Sequence, residues 1–191
     1  MLTDRIVGAF TFRRGVYAEV EKDTTFTSTA WLLVAVAALL SQLGANATRG
    51  FVVWLFGSIW GTVWTVIAFA AAAFVIAYVG RTVFNASVTF EEVVRTVGLA
   101  QVWNAVGFIG IVAAVSRPLA CLLTPTQVLA AIAGLVAALV AAKEALDLDW
   151  GQTIVTVIIG WVVLAIIIAI ASAFLAILGL GAAGVASFLR G

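Results

Sequence analysis

The sequence predicts an all-α polytopic membrane protein: five transmembrane helices behind an interfacial amphipathic N-terminal segment, N-terminus inside and C-terminus outside. Three observations carry that expectation. Of 191 residues, 64% are hydrophobic and only 10% charged, against roughly a quarter charged in a soluble domain. The apolar residues gather into five runs, Ala30 to Ala47, Ile59 to Gly80, Val93 to Val115, Pro125 to Ala142 and Thr153 to Leu180, each near or above the length that crosses a bilayer as a helix, about 20 residues. The charges fall between the runs, and unevenly.

Residues 1–28 form the cytoplasmic N-terminal segment. In "TDRIVGAFTFRRGVYAEVEKD", Ile6, Ala9 and Phe10 recur at helical spacing, as do Val16, Tyr17 and Val20 after Gly15, with charges between. That is the pattern of an amphipathic pair lying on the cytoplasmic leaflet. A cleavable leader is not expected, because the stretch before the first span carries Asp4, Glu19, Glu21 and Asp23.

Residues 29–191 form the membrane domain. The stretch from Phe51 to Val79 is too long for one straight crossing, and Gly57 and Gly61 interrupt "WLFGSIWGTVW". Its first part is expected to be a short interfacial or half-inserted segment on the outer face, with Trp54, Trp60 and Trp64 in an aromatic belt. The third helix opens on "VTFEEV", where Thr89 and Glu92 have capping-box spacing and Val88 and Val93 form the hydrophobic staple. The fourth is expected to start at "TPTQ", with Thr124 as cap, Pro125 at the first helical position and Gln127 closing the box. "DWGQ" repeats the design with Asp149 and Gln152, and Gly179, Gly181 and Gly184 should fray the tail.

A lone cation follows each run: Arg49, Arg81, Arg117, Lys143 and Arg190. Cations at helix C-termini meet the partial negative charge of unpaired carbonyls, so these need no functional explanation. Arg5, Arg13, Arg14, Lys22 and Arg95 are left, all on one side of a five-span chain. Together with Arg81 and Lys143 they make that face cytoplasmic by the positive-inside rule. All nine acidic residues join them there. The candidate partner-binding residues are therefore Glu91, Glu92, Arg95, Lys143, Glu144, Asp147 and Asp149.

The spans themselves offer little chemistry. An ionisable group at mid-membrane is costly and usually functional, and none is expected inside a span. The polar inventory is Ser41, Gln42, Asn46, Thr62, Thr65, Gln101, Asn104, Gln127 and Ser172. Gln101 and Asn104 face the same way and, with Gln127, form a candidate intramembrane cluster that bridges helices or lines a polar cleft. The chain has no histidine to activate its one cysteine, Cys121. No catalytic residue, cofactor or metal ligand is expected, and a net charge of +1 gives no case for nucleic acid. Small residues stand at packing spacing: Gly57 and Gly61, and Ala130, Gly134, Ala138 and Ala142 down the fourth helix.

"RIVGAFTFRRGVYAEVEKDTTFTSTA", "FEEVVRTVGLAQVWNAVGFIGIV" and "AAKEALDLDWGQTIVTVIIGWVV" occur in the order and setting of the bacterial branch of the Yip domain family, five-span membrane proteins that this chain resembles over nearly its whole length. The resemblance implies a cytoplasmic N-terminus and an outward C-terminus. Eukaryotic relatives are associated with vesicle traffic and contact prenylated small GTPases, but their Asp-Leu-Tyr-Gly-Pro motif is missing here, so GTPase binding is not carried over. Trp103 and Asn104 also stand where relatives often carry proline after "GxAQ". The function expected is a non-enzymatic scaffold of the bacterial inner membrane that recruits a protein partner or shapes the bilayer, with or without self-association. A channel assembled from several copies and an accessory subunit of a larger membrane complex are the alternatives.

Overall fold

A computed structural model describes residues 1–188 and, within them, all side chains except those of Arg117, Leu175 and residues 178–188. The described chain is helical: α1 Leu2–Phe10, α2 Val16–Lys22, α3 Thr27–Ala45, α4 Phe51–Val83, α5 Phe90–Ala100, a 3-10 helix Gln101–Ile109, α6 Gly110–Ala113, α7 Arg117–Leu146 and α8 Trp150–Phe188. Five helical stretches are long and apolar enough to cross a membrane: Thr24–Ala45, Phe51–Val83, Phe90–Ala113, Pro118–Leu146 and Trp150–Phe174. α3 packs between the 3-10 helix and α4, α4 against α8, and α5 against α7. Connections are short, so the starts of α3, α5 and α8 and the ends of α4 and α7 gather at one end of the bundle, and the acidic residues of the chain lie in or beside these termini and on α1 and α2.

The third span starts as its sequence prescribes. The Thr89 hydroxyl accepts from the Glu92 amide at 3.2 Å and the Glu92 carboxylate accepts from the Thr89 amide at 2.6 Å, while Val88 and Val93 are buried. It does not continue as an α-helix. From Gln101 it tightens to nine residues of 3-10 helix, far longer than the usual three or four. The narrower helix lies directly on α3: the Gly44 backbone meets the Gly107 carbonyl, and a β-carbon at Gly110 would stand 2.6 Å from the Gly44 oxygen.

Three boundaries correct the sequence reading. Phe51–Val83 is one helix of 33 residues, without a separate segment before Ile59. Its first turns are tied to the end of α3, since Trp54 Nε1 donates to the Leu43 carbonyl at 2.9 Å and Ser58 Oγ to that of Gln42 at 3.1 Å. α7 begins eight residues before Pro125: Ser116 caps it, its hydroxyl accepting from the Leu119 amide at 3.4 Å, with Pro118 in the first turn. Thr124 is then no cap but an interior residue donating to the Ala120 carbonyl at 2.7 Å, and Pro125 sits mid-helix, as spans tolerate when neighbouring groups satisfy the freed carbonyl. Arg117 accordingly opens α7 instead of ending the third span. α8 stays helical through Gly179, Gly181 and Gly184 to Phe188, so no fraying begins there; Arg190 lies outside the described residues.

The N-terminal helices turn onto the bundle. Gly15, at φ +79°, caps α2 in a left-handed conformation that a β-carbon would strain. Ala9, Val16, Tyr17 and Val20 are buried with Val93, Val94, Ala141 and Ala145 in one core cluster. The apolar faces marked by spacing thus cover α5 and α7.

Candidate functional site

At the acid-bearing end, the side chain that organises the surroundings is Arg95. It stands in the first half of α5 and is only 5% exposed. Its Nε and Nη2 donate to the Glu21 carbonyl at 3.0 and 2.6 Å, and its Nη1 to Thr27 Oγ1 at 3.3 Å. The guanidinium therefore closes the C-terminal end of α2, where unpaired carbonyls carry partial negative charge, and pins it to α5 and α3. This corrects one expectation: Arg95 is not an open partner-binding charge.

The other residues expected there are placed more openly. Glu91, Asp147 and Asp149 are exposed and Glu92, Lys143 and Glu144 half-buried. Asp147, at φ 49°, ends α7 as a left-handed cap whose amide donates to the Lys143 carbonyl. Asp149 stands before α8, its carbonyl accepting from the Thr153 amide at 2.9 Å. Lys143 Nζ lies 5.5 Å over the Trp150 ring. Glu21, on α2, shares this end: burial first, then the negative charges of Asp147, Glu92 and Glu144, raise its carboxyl above the ordinary glutamate value. Among the described residues the ion pairs are Arg5–Asp23 at 2.7 Å and Arg13 with Asp4 and Glu19 at 3.2 and 2.9 Å. The acids of α5 and α7 take part in none of them.

Of the expected cluster of Gln101, Asn104 and Gln127, the structure joins the first two. Three residues per turn eclipses positions i and i+3, so Asn104 Nδ2 donates to Gln101 Oε1 on the same 3-10 helix. No hydrogen bond joins Gln127 to them among the described residues. Trp103, between them, points the other way: its Nε1 donates to the Ala9 carbonyl at 3.3 Å and its ring meets Phe10 edge-on at 5.0 Å. A β-carbon at Gly134 would stand 3.1 Å from that of Trp103, and Ala130, Ala138 and Ala142 are buried, so the small-residue stripe of α7 is occupied within the chain. Gly57 and Gly61 likewise make room inside the chain: a β-carbon at Gly61 would lie 2.5 Å from Gln42 Oε1.

Polar side chains do converge at the opposite end, around residues that the sequence reading did not group. A cleft of about 190 Å³ opens between α3, α4 and α8, lined by Gln42, Asn46, Trp60, Thr65 and Ser172 with Arg49 at its mouth. Asn46 Nδ2 donates to the Gln42 carbonyl at 3.0 Å and lies 3.5 Å from both Gln42 Oε1 and Ser58 Oγ. Gln42 Nε2 reaches Thr65 Oγ1 only at 3.5 Å. Trp60 stacks on Phe174 with ring centres 6.1 Å apart, and its buried Nε1 has no partner among the described residues. The signal available was four-residue spacing on both sides, Gln42 with Asn46 and Gly57 with Gly61, which apposes two carboxamides with two missing side chains.

No protein-family model, curated protein sequence or solved structure matches this chain.

Proposed function

We propose that this chain is a non-enzymatic, five-span scaffold of Yip-like type in a bacterial inner membrane, with a cytoplasmic N-terminus, and that its acidic end docks a basic segment of a partner protein. The observation that carries the reading is the gathering of acids there: carboxylates from α2, α5 and α7 share one surface, where burial first and then the charges of Asp147, Glu92 and Glu144 hold the Glu21 carboxyl above its ordinary value, and Glu91, Glu144 and Asp147 stand outside every ion pair among the described residues. Complementary charge steers such a partner and weakens with salt. The fold-back of α1 and α2 supplies a rigid platform, because buried Arg95 and the Val16, Tyr17 and Val20 face hold it to the spans. Burial also pushes the Tyr17 hydroxyl up to about 12, so it adds no charge at neutral pH.

Pairing of Gln101 with Asn104 on one element favours this reading over a pore lined by them and Gln127. The test is purification in mild detergent of the wild type and of a Glu91→Lys/Glu144→Lys/Asp147→Asn variant. A partner retained at low salt, released by salt and absent from the variant supports docking. Identical co-purification from both proteins contradicts it.

A further inference from the structure

We propose that the cleft between α3, α4 and α8 binds the phosphate of an anionic phospholipid headgroup; the inference stands independently of docking at the acidic end. Gly61 lies 22 residues along α4 from Val83, about 33 Å at ~1.5 Å per residue, while the hydrocarbon core is ~30 Å thick. With the acidic end at one water boundary, the cleft stands where the phosphates of the other leaflet lie. Trp54, Trp60 and Trp64 sit at this level, as interfacial tryptophans do.

The chemistry of the lining suits an anion. Among the described residues no carboxylate borders the cleft, and its one formal charge is the exposed Arg49. Trp60 Nε1 is a buried donor without a partner among the described residues, and such a group is destabilising unless something accepts from it. Gln42 Nε2 is held at the limit of hydrogen bonding, 3.5 Å from Thr65 Oγ1, and can turn toward an acceptor in the cleft. Arg49, Trp60 and Gln42 line one small space, and a guanidinium, an indole N–H that a rotation of the ring can present and a loosely held amide select an acceptor-rich anion. The volume, about 190 Å³, holds a phosphoryl group with a few attached carbons, as roughly 30 Å³ per water indicates. Exposed Ile168 and Phe174 on α8 leave an apolar border on which acyl chains can continue into the bilayer.

The purified, delipidated protein is to be titrated in detergent with phosphatidylglycerol, phosphatidylcholine or inorganic phosphate and followed by native mass spectrometry. Phosphatidylglycerol should be retained about tenfold over phosphatidylcholine. Arg49→Gln should bring it down to the phosphatidylcholine level, and Trp60→Phe, which keeps the ring stack but removes the donor, should reduce it several-fold. Arg14→Gln, at the acidic end, should leave retention unchanged. Equal retention of the two lipids, or full retention by Arg49→Gln and Trp60→Phe proteins of unchanged helix content, overturns the proposal. Binding of inorganic phosphate in place of either lipid overturns the lipid assignment.

Discussion

Arg95 shows how one side chain can be read correctly as charged and wrongly as available. Its place five residues after a legible helix start at Phe90, in "EEVVR", marks a cation near water; nothing in spacing reveals that its acceptor is a carbonyl 74 residues earlier. Arg95→Leu should loosen α1 and α2 by about 2 kcal/mol, the scale of a charge-assisted hydrogen bond, with roughly 30-fold faster amide exchange in residues 2–22 and little change in α8. Thr89, by contrast, was legible outright, because a capping box is local chemistry written within four residues. Thr89→Ala should cost about 1 kcal/mol, measured as a lower unfolding midpoint. Asp23 makes the N-terminal contact pH-dependent. Its hydrogen bond from the Thr25 hydroxyl, then Arg5, holds its carboxyl below the ordinary aspartate value. Such a group contributes stability that is complete above the unfolded pKa and is lost as pH falls through the lowered one. Exchange protection of residues 2–22 should therefore drop on acidification in the wild type and drop less in Asp23→Asn.

At the scale of elements, the number and rough position of the spans followed from hydrophobic runs, and the errors were about ends and helix type. "SRPL" and "TPTQ" carry the same signature, a hydroxyl residue shortly before proline, and only the packing of residues 117–124 as helix decides between them. The switch from α to 3-10 at Gln101 was hidden for a related reason: propensity does not distinguish the two, and the determinant is a contact between Gly44 on one span and Gly107 and Gly110 on another. Gly44→Ala should consequently cost about 1–3 kcal/mol, the scale of overpacking against atoms that cannot move aside, since its β-carbon meets backbone. Gly151, in the first turn of α8, has nothing within 4 Å of an added β-carbon. Gly151→Ala should leave stability unchanged or raise it by up to about 1 kcal/mol. Thermal unfolding of the two variants in the same detergent compares them directly.

For the whole molecule, the separation of charge is the property most visible in the sequence and most consequential in the fold. All nine carboxylates lie in segments that the five-helix arrangement brings to one end, and Arg49 guards a polar cleft at the other. The cleft itself was not legible, because Gln42, Asn46, Trp60 and Ser172 are ordinary members of three different spans until the helices pack. The fold-back of the N-terminus was half legible: spacing marked its apolar faces, but burial against lipid and burial against protein leave the same pattern. Both readings of function, docking at the acidic end and lipid binding at the other, require the two ends to face opposite sides of a membrane. The direct test is labelling with a membrane-impermeant maleimide in a Cys121→Ser background, using Asp4→Cys, Glu91→Cys and Asp147→Cys at one end and Thr48→Cys and Val115→Cys at the other. The account predicts that Thr48→Cys and Val115→Cys react in intact cells, and that Asp4→Cys, Glu91→Cys and Asp147→Cys react only after lysis. Labelling of Asp4→Cys and Asp147→Cys from opposite sides would contradict it.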